Sequence, residues 1–353
     1  MKRRKPELLL GIASKQQTRS RPELHSTVFL FIMGIYANTR IWLWESKNKL
    51  RRTLTHAARR LRRKQRIIVS LTSYPPRIAT IHESIRSILA QKMLPDKVVL
   101  WLYEGDFPNR EKDLPATLTH LLAHDVQIRW VTEDLKPHKK YYWALQEFTH
   151  DLVITFDDDM IYPNTYISEL VAAHQAHPEA VVSIRTHLIT FNVDGSLKPY
   201  NEWIFEAPAH YPAMLDRPSM RLFGTNGAGT LFPPHIMPPE TFDMQAIRDT
   251  ALRADDIWIK VMQVIGSIPV VSATTNQVIS LISAEEARTQ NRIGFVPNSQ
   301  TEALWSTNSA GGNDKVIKQI LAYPTIRRAL NGDFADIVRD DSFDELMDDA
   351  TRQ

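Results

Sequence analysis

Between residues 66 and 186 the chain repeats one pattern: a short run dense in branched apolar residues, then a longer stretch with apolar residues three or four apart. The dense runs are RIIVSLTS (66–73), KVVLWLY (97–103), VQIRWV (126–131), DLVITF (151–156) and AVVSIRT (180–186). Short runs rich in Val and Ile predict buried strands. Between them Ile78, Ile81, Ile85, Ile88 and Leu89 recur at helical spacing, as do Tyr141, Ala144, Leu145 and Phe148. Further helices are expected around 114–124 and from Asn164 to His174. Strands alternating with helices predict an α/β fold, a Rossmann-like, mostly parallel sheet with helices on both faces.

Beyond about residue 190 this rhythm is lost. Prolines at 199, 208, 212, 218, 233, 234, 238 and 239 surround the glycine-rich FGTNGAGTLFPP. This part is expected to lie over the carboxyl edge of the sheet, where open α/β folds place ligands. RADDIWIKVMQVIG (253–266) predicts one more helix, with Ile257, Val261, Val264 and Ile265 as its buried face. NGDFADIVRDDSFDELMDD (331–349) reads as an acidic helix or tail with a solvated surface. No internal repeat is present.

Composition adds limits. At 353 residues and 43% apolar the chain can bury a full core. It has no cysteine, which excludes a disulfide framework and a thiolate metal site and fits a reducing compartment. The net charge of +3 hides an asymmetry. Residues 1–66 carry 18 Lys or Arg against three acids, leaving 25 against 37 in the remainder. Residues 1–65 therefore form a separate basic extension, expected to be helical. Its apolar stretch Val28–Ala37 is about half of the ~20 residues a spanning helix needs. It starts late and lacks a small-residue cleavage site, unlike a signal peptide. Two readings stand: an anchor on an anionic membrane surface, with tryptophans in the interface and arginines on headgroups, or a helix packed on the body. No nucleic-acid partner is expected, because nothing downstream reads as a nucleic-acid module.

The candidate chemistry lies at the strand ends. DLVITF runs directly into Asp157, Asp158 and Asp159, three adjacent carboxylates that repel one another unless a cation sits among them. Such a hard oxygen site suits Mn2+ or Mg2+. The plainer alternative is a turn and helix cap, since MIYPN enters a helix through proline. LTSYPPR (71–77) places Thr72, Ser73, Tyr74 and Arg77 after the first strand, where a nucleotide would meet the sheet; it lacks a dinucleotide fingerprint, and no Walker sequence occurs. Lys136, Lys139 and Lys140 start the helix leading into the aspartate strand, where they could neutralise phosphate or merely be hydrated. Asp255 and Asp256 head the 253–266 helix, as a second carboxylate site or as a cap and dipole partner.

Taken in order, SLTSYPPR, DDDMIYP, GTNGAGTLFPP and ADDIW resemble bacterial glycosyltransferases of the GT-A fold. They are similar to family 2 enzymes and to those decorating capsule or lipopolysaccharide. The resemblance covers roughly residues 66–320. It implies a nucleotide-sugar half (66–186) and an acceptor-side half (187–330), with the acidic tail (331–353) outside it. Asp157, Asp158 and Asp159 match the family's DXD motif, with Asp159 as the direct metal ligand and Asp157 on the metal or the ribose. Thr72, Ser73, Tyr74, Arg77, Lys140, Asp157 and Asp158 would hold the nucleotide-sugar. The catalytic base carries over to Asp256, or else Asp255, since Asp-Asp stands where many members have Glu-Asp. The helix N-terminus is expected to keep Asp256 ionised, with Asp255 capping the helix or binding acceptor. IWIKV stands near the place of the QxxRW of processive synthases, which argues against polymerisation.

The implied activity is inverting, non-processive, Mn2+- or Mg2+-dependent transfer of a sugar to a hydroxyl of a glycan or glycolipid in surface polysaccharide synthesis. The implied location is cytoplasmic, peripheral on the inner face of the membrane. One rival is a sugar nucleotidyltransferase, which would carry a GxGxRxxP-type loop where LTSYPPR has no glycine. The other is an inactive sugar- or lipid-binding assembly protein, against which both retained carboxylate sites argue.

Overall fold

The computed structural model describes residues 65–276, 280–282, 312–339 and 343–344. The basic extension, and the expectations attached to it, lie outside the described residues. In chain order the strands are β1 (Ile67–Thr72), β2 (Lys97–Tyr103), β3 (Val126–Val131), β4 (Leu152–Thr155), β5 (Met160–Ile161), β6 (Val181–Ser183), β7 (Thr186–Leu188), β8 (Leu222–Gly224), β9 (Thr230–Phe232), β10 (Val270–Ser272) and β11 (Ser280–Leu281). Seven of them form the main sheet, in the order β10-β6-β9-β4-β1-β2-β3. All neighbours pair in parallel except β9, which runs antiparallel to both β4 and β6. The expected mostly parallel α/β sheet is present.

Alternation along β1 explains the layers. Ile67, Val69 and Leu71 face one side and pack with Ile81, Ile85, Ile88 and Leu89 of α1 (Ile81–Leu89). Ile68 faces the other side, with Val99, Trp101, Val153 and, from α2 (Lys139–Glu147), Ala144. Successive strand side chains point to opposite faces, so a strand covered on both sides must be apolar throughout. Each fully buried isoleucine contributes about 1.5–3 kcal/mol.

Three local expectations are corrected. The stretch 114–124 is not one helix but a short α turn, Ala116–Thr119, followed by a 3-10 turn, His120–Ala123; the two turns bury only Leu118 and Leu121 between them, too little apolar contact to sustain more turns. The run 180–186 divides into β6 and the start of β7, and β7 leaves the main sheet to pair with β8. The segment after 190 does not simply overlie the sheet: it supplies β9 to its centre and β10 to its edge. Three-residue strands beside glycine or proline are too short to display alternation.

The helix expected from Asn164 to His174 is α3 (Tyr166–Ala176). The helix α4 (Asp255–Ile265) matches its expected position, but it is buried nearly all round, with Trp258, Ile259 and Met262 as enclosed as Ile257, Val261 and Val264. Ile317 and Ile320 of α5 (Asn313–Ala322) join it in one cluster, which removes the solvated face. Among the described residues no helix is long and apolar enough to cross a membrane.

From β1 the chain runs outward through β2 and β3, then returns to β4 on the other side of β1. The switch point therefore lies between the carboxyl ends of β1 and β4, where such folds open a ligand crevice. Those two strand ends carry Ser73 and Asp157.

Candidate active site

The loop after β1 is tied to the aspartate triplet. Ser73 Oγ donates to Asp158 Oδ2 at 2.6 Å, and Arg77 Nη1 lies 2.9 Å from both Asp158 Oδ1 and Asp159 Oδ2. The Tyr74 ring centre is 5.7 Å from the Arg77 guanidinium carbon. Burial works against the Arg77 charge, but Asp158 and Asp159 outweigh it and raise the pKa. Thr72 differs from expectation. Its hydroxyl donates back to the Trp101 carbonyl at 2.9 Å, which secures the end of β1 to β2.

The three aspartates are not equivalent. Asp158 is buried with both oxygens bonded. Asp159 keeps Oδ1 buried without a hydrogen-bond partner. Its carboxyl is pushed up to about 7 by burial and by Asp158 and Asp157, against the pull of Arg77. Its carbonyl accepts from Ile282 N–H at 2.8 Å, next to the β5–β11 pairing. Asp157 Oδ1 accepts from Lys140 Nζ at 2.7 Å, while its N–H is shared between the Gly227 carbonyl (3.0 Å) and Tyr162 Oη (2.8 Å). Asp157 Oδ2 lies against Gly227, where a Cβ would sit 1.8 Å from it. Gly227 is required for this close approach.

Lys140 links the triplet to the second acidic pair. It is 2% exposed and stands 2.7 Å from Asp157 Oδ1 and 2.9 Å from Asp255 Oδ2. Burial would lower its pKa, but Asp157, Asp255 and Asp256 together raise it. The sequence placed Lys140 on the nucleotide-sugar as a free cation. In the structure it is sealed between carboxylates, because the first turn of α2 packs under the strand ends. Lys136 and Lys139 both turn to Asp134 instead.

Asp255 and Asp256 diverge sharply. Asp255 is buried, and its carboxyl is held low because Lys140 and His138 outweigh the cost of burial. It does not cap α4; Ala254 occupies that position without a side-chain bond. Asp256 is partly exposed and accepts from Asn226 N–H at 2.7 Å through Oδ1. Its carboxyl is pushed up to about 7 by burial and by Asp255, against Lys140. The expected ionising effect of the helix N-terminus is thus overcome by desolvation and a neighbouring like charge. His138 is neutral, pushed down to about 4 by burial. Its Nε2 faces the Ala251 carbonyl at 2.8 Å, which can only accept, so Nε2 bears the proton and Nδ1 accepts from Tyr141 Oη at 2.6 Å.

The turn Asn226–Ala228 went unassigned in the sequence, although GTNGAG was conspicuous there. Its backbone holds Asp256 through Asn226 and Asp157 through Gly227. Lys260 of α4 fastens the approach to this turn by donating to the Met220 (2.5 Å) and Leu222 (3.0 Å) carbonyls. The Asn226 side chain is fully buried; it lies near enough to Asp255 to help keep that carboxyl ionised, yet neither amide atom reaches hydrogen-bond geometry. No sequence signal separates this asparagine from an ordinary turn residue.

Five carboxylates and two internal cations leave the site with a deficit of positive charge. Among the described residues no three acidic or histidine side chains form a ready-made metal cage. Within the triplet the oxygens without a hydrogen bond are Asp159 Oδ1 and Asp157 Oδ2. One or two carboxylates suit Mg2+ or Mn2+ that shares its remaining positions with phosphate oxygens and water. A separate cleft of about 470 Å3, lined by Phe148, Asp151, Pro234, His235 and Phe242 among others, opens at the opposite end of β4 and holds none of these residues.

Residues 67–237 match the family model of glycosyl transferase family 2. The chain carries a family 2 glycosyltransferase domain. The matched segment includes Ser73, Arg77, Lys140, the triplet and Asn226 but stops before Asp255, so the second pair is placed by geometry. No curated protein matches the chain. Among solved structures, residues 1–349 of TarS from S. aureus in complex with UDP are 14% identical over 60% of this chain and 59% of that one, with a TM-score of 0.36. The mannosyltransferase PcManGT from Pyrobaculum calidifontis, in complex with GDP-Man and Mn2+, is 13% identical over 83% and 87%, with a TM-score of 0.39. A 4-diphosphocytidyl-2C-methyl-D-erythritol synthase is 12% identical over 64% and 98%, with a TM-score of 0.36. Likeness at this level decides nothing about the glycosyltransferase domain's donor or acceptor.

Proposed function

We propose that this glycosyltransferase moves a sugar from a nucleotide-sugar to a hydroxyl of a glycan or glycolipid by one inverting displacement, with Mn2+ or Mg2+ at the triplet. The carrying observation is the Lys140 bridge, which draws two acidic motifs far apart in sequence into one site. Asp159 Oδ1 and Asp157 Oδ2 would hold the metal, and the buried, unpartnered Asp159 oxygen supports that fit. Bound there with a nucleoside diphosphate, the metal supplies neutralisation of the leaving phosphate's charge. Ser73 and Arg77 immobilise Asp158 and so orient the triplet, with Tyr74 at the edge of the nucleotide's place.

Asp256 is the general base. The acceptor oxygen bonds to the anomeric carbon as that carbon's bond to the phosphate oxygen breaks. The bonding pair leaves with the nucleoside diphosphate, and the acceptor proton passes to Asp256. A carboxyl near 7 is well matched to this exchange at neutral pH. Asp255, held ionised by Lys140, keeps the pair's protonation divided. The basic residues 1–65 support docking on the anionic inner face of the cytoplasmic membrane, in line with a role in surface polysaccharide synthesis.

Calorimetry of UDP- and GDP-sugars with and without Mn2+ tests the donor site. Asp159→Ala should lose metal-dependent binding and retain the fold; undiminished binding with metal present would refute the assignment, and turnover of nucleoside triphosphates instead would favour the nucleotidyltransferase. Deleting residues 1–65 should release the protein from phosphatidylserine vesicles, and equal binding of both forms would end the membrane reading.

A further inference from the structure

Beside Asp256 lies an aromatic cluster that neither the family match nor the mechanism uses. The pairing of β7 with β8 brings His187 and Phe223 into a stack at 6.0 Å between ring centres. Trp203 meets Phe223 at 5.3 Å, and Tyr200 meets Trp203 at 4.9 Å and Phe205 at 5.4 Å. Trp203 and Phe223 are buried and form the floor; Tyr200 and Phe205 are only partly covered and form an open rim. Floor and rim are both anchored: Trp203 Nε1 donates to the Lys198 carbonyl at 3.0 Å, and Tyr200 N–H donates to Asp314 Oδ1 at 2.8 Å.

The rim also carries a balanced ion pair. Arg185 Nε donates to Glu206 Oε1 at 3.0 Å, and both side chains remain substantially exposed. Glu206 has a left-handed backbone (φ 50°), a conformation that costs a non-glycine residue on the order of 1–3 kcal/mol and gathers at ligand sites. Its N–H is taken by His187 Nδ1 at 3.0 Å, which anchors the strained residue to the cluster. The Arg185 carbonyl accepts from Thr225 N–H at 3.0 Å, one residue before the asparagine that holds Asp256. The Tyr200 hydroxyl is held protonated by burial and by the charge of Asp256, with Arg185 acting the other way.

We propose that Tyr200 and Phe205, with Arg185 and Glu206, form the acceptor subsite and take an uncharged pyranose whose attacking hydroxyl faces Asp256. An aromatic face matches the apolar C–H face of a sugar ring, and a donor–acceptor pair beside it matches ring hydroxyls. The charges at the rim cancel. A phosphate or uronic acid acceptor would call for surplus cation, and a lipid chain would strip water from the exposed ion pair and offer no hydroxyls in its place. This inference rests on the sugar-transfer reading and narrows its acceptor.

The test uses the full chain with Mn2+ and UDP-glucose, UDP-N-acetylglucosamine and GDP-mannose as donors, and follows nucleoside diphosphate release. Acceptor probes are methyl glycosides of glucose, galactose, mannose and N-acetylglucosamine, with methyl glucuronide as the charged control. At least one neutral glycoside should accelerate release several-fold over the reaction with water. Tyr200→Ala should raise its KM about tenfold, the worth of one ring contact, with kcat altered less than about threefold. Tyr200→Phe should restore the KM, and calorimetric affinity for UDP or GDP should show that the donor half is intact. An unchanged KM in Tyr200→Ala overturns the proposal. So does a parallel loss of kcat and nucleotide affinity, acceleration by the glucuronide alone, or donor splitting that no neutral glycoside accelerates. If no donor is bound or split by the wild type, the transferase reading itself falls and this inference with it.

Discussion

The two adjacent-carboxylate sites, Asp158–Asp159 after β4 and Asp255–Asp256 at the head of α4, treat their members alike. In each, one carboxylate is buried against a cation: Asp158 against Arg77, with Ser73 on its other oxygen, and Asp255 against Lys140. The other is left underserved and pushed up to about 7, Asp159 with an unpartnered buried oxygen and Asp256 with a single backbone donor. The difference lies in the cation. Arg77 touches both members of its own pair, whereas Lys140 touches one member and reaches across to Asp157. Arg77 meets both neighbours through one nitrogen, Nη1, whereas the compact ammonium of Lys140 acts as a strut between elements. Under the proposed function the first pair would hold the metal and the second would exchange the acceptor's proton.

The most damaging change to this arrangement should be Lys140→Met. It keeps a side chain of similar length but leaves Asp157 and Asp255 facing each other without their shared cation. Removing one partner of a buried ion pair typically costs about 3–5 kcal/mol, so urea denaturation should show a loss of that size. A loss below about 1 kcal/mol would mean that the strut is not holding the two halves together.

Asp256→Asn should separate the roles within the second pair. Turnover at saturating donor and acceptor should fall by on the order of a hundredfold or more, with donor affinity nearly unchanged. Asp255→Asn should instead act on stability, through the loss of Lys140's partner. Wild-type turnover should rise as pH increases through about 7, because the base must be deprotonated to accept the acceptor's proton; that acid limb should vanish in Asp256→Asn. Stability runs the other way. A carboxyl whose folded pKa lies above its unfolded one binds its proton more tightly when folded, so the metal-free protein should weaken as pH rises from about 4 to about 7. Near-normal turnover in Asp256→Asn with collapse in Asp255→Asn would exchange the two roles.

A smaller effect is expected at Gly227. A methyl there would meet Asp157 Oδ2 at 1.8 Å, so the carboxylate must turn away from the position in which it would hold the proposed metal. Gly227→Ala should weaken Mn2+-dependent nucleoside diphosphate binding about tenfold, on the scale of 1–3 kcal/mol for local overpacking. Unaltered metal dependence would place the working oxygens of Asp157 elsewhere.

Much of this site was legible before the fold was known, and the reason is local. DLVITF is apolar because β4 is covered on both faces, and the three charges that follow mark where cover ends. KVVLWLY matched its strand end to end for the same reason, and VQIRWV, half-covered at the sheet edge, through its β-branched and aromatic residues. Where local density fails, so does the reading. β9 is three residues long, and neither its place between β4 and β6 nor its reversed direction leaves a trace in TLF. Asn226 and Tyr200 were passed over because an asparagine in a turn and a tyrosine after a proline are ordinary until Asp256 is placed beside them.

The sequence alone thus determined the parallel α/β layering, the position of the triplet at a strand end, and the second acidic pair at the head of a helix. Each depends on residues within a turn or two of one another. Only the tertiary structure decided which cation serves which carboxylate: Lys140 with Asp157 and Asp255 rather than with phosphate, and Arg77 across Asp158 and Asp159. It also decided that Asp256, and not Asp255, is the member left with a raised pKa. Those outcomes depend on the strand order that folds distant segments together, and on burial, which sets the energy of a charge by everything that surrounds it rather than by its neighbours in the chain.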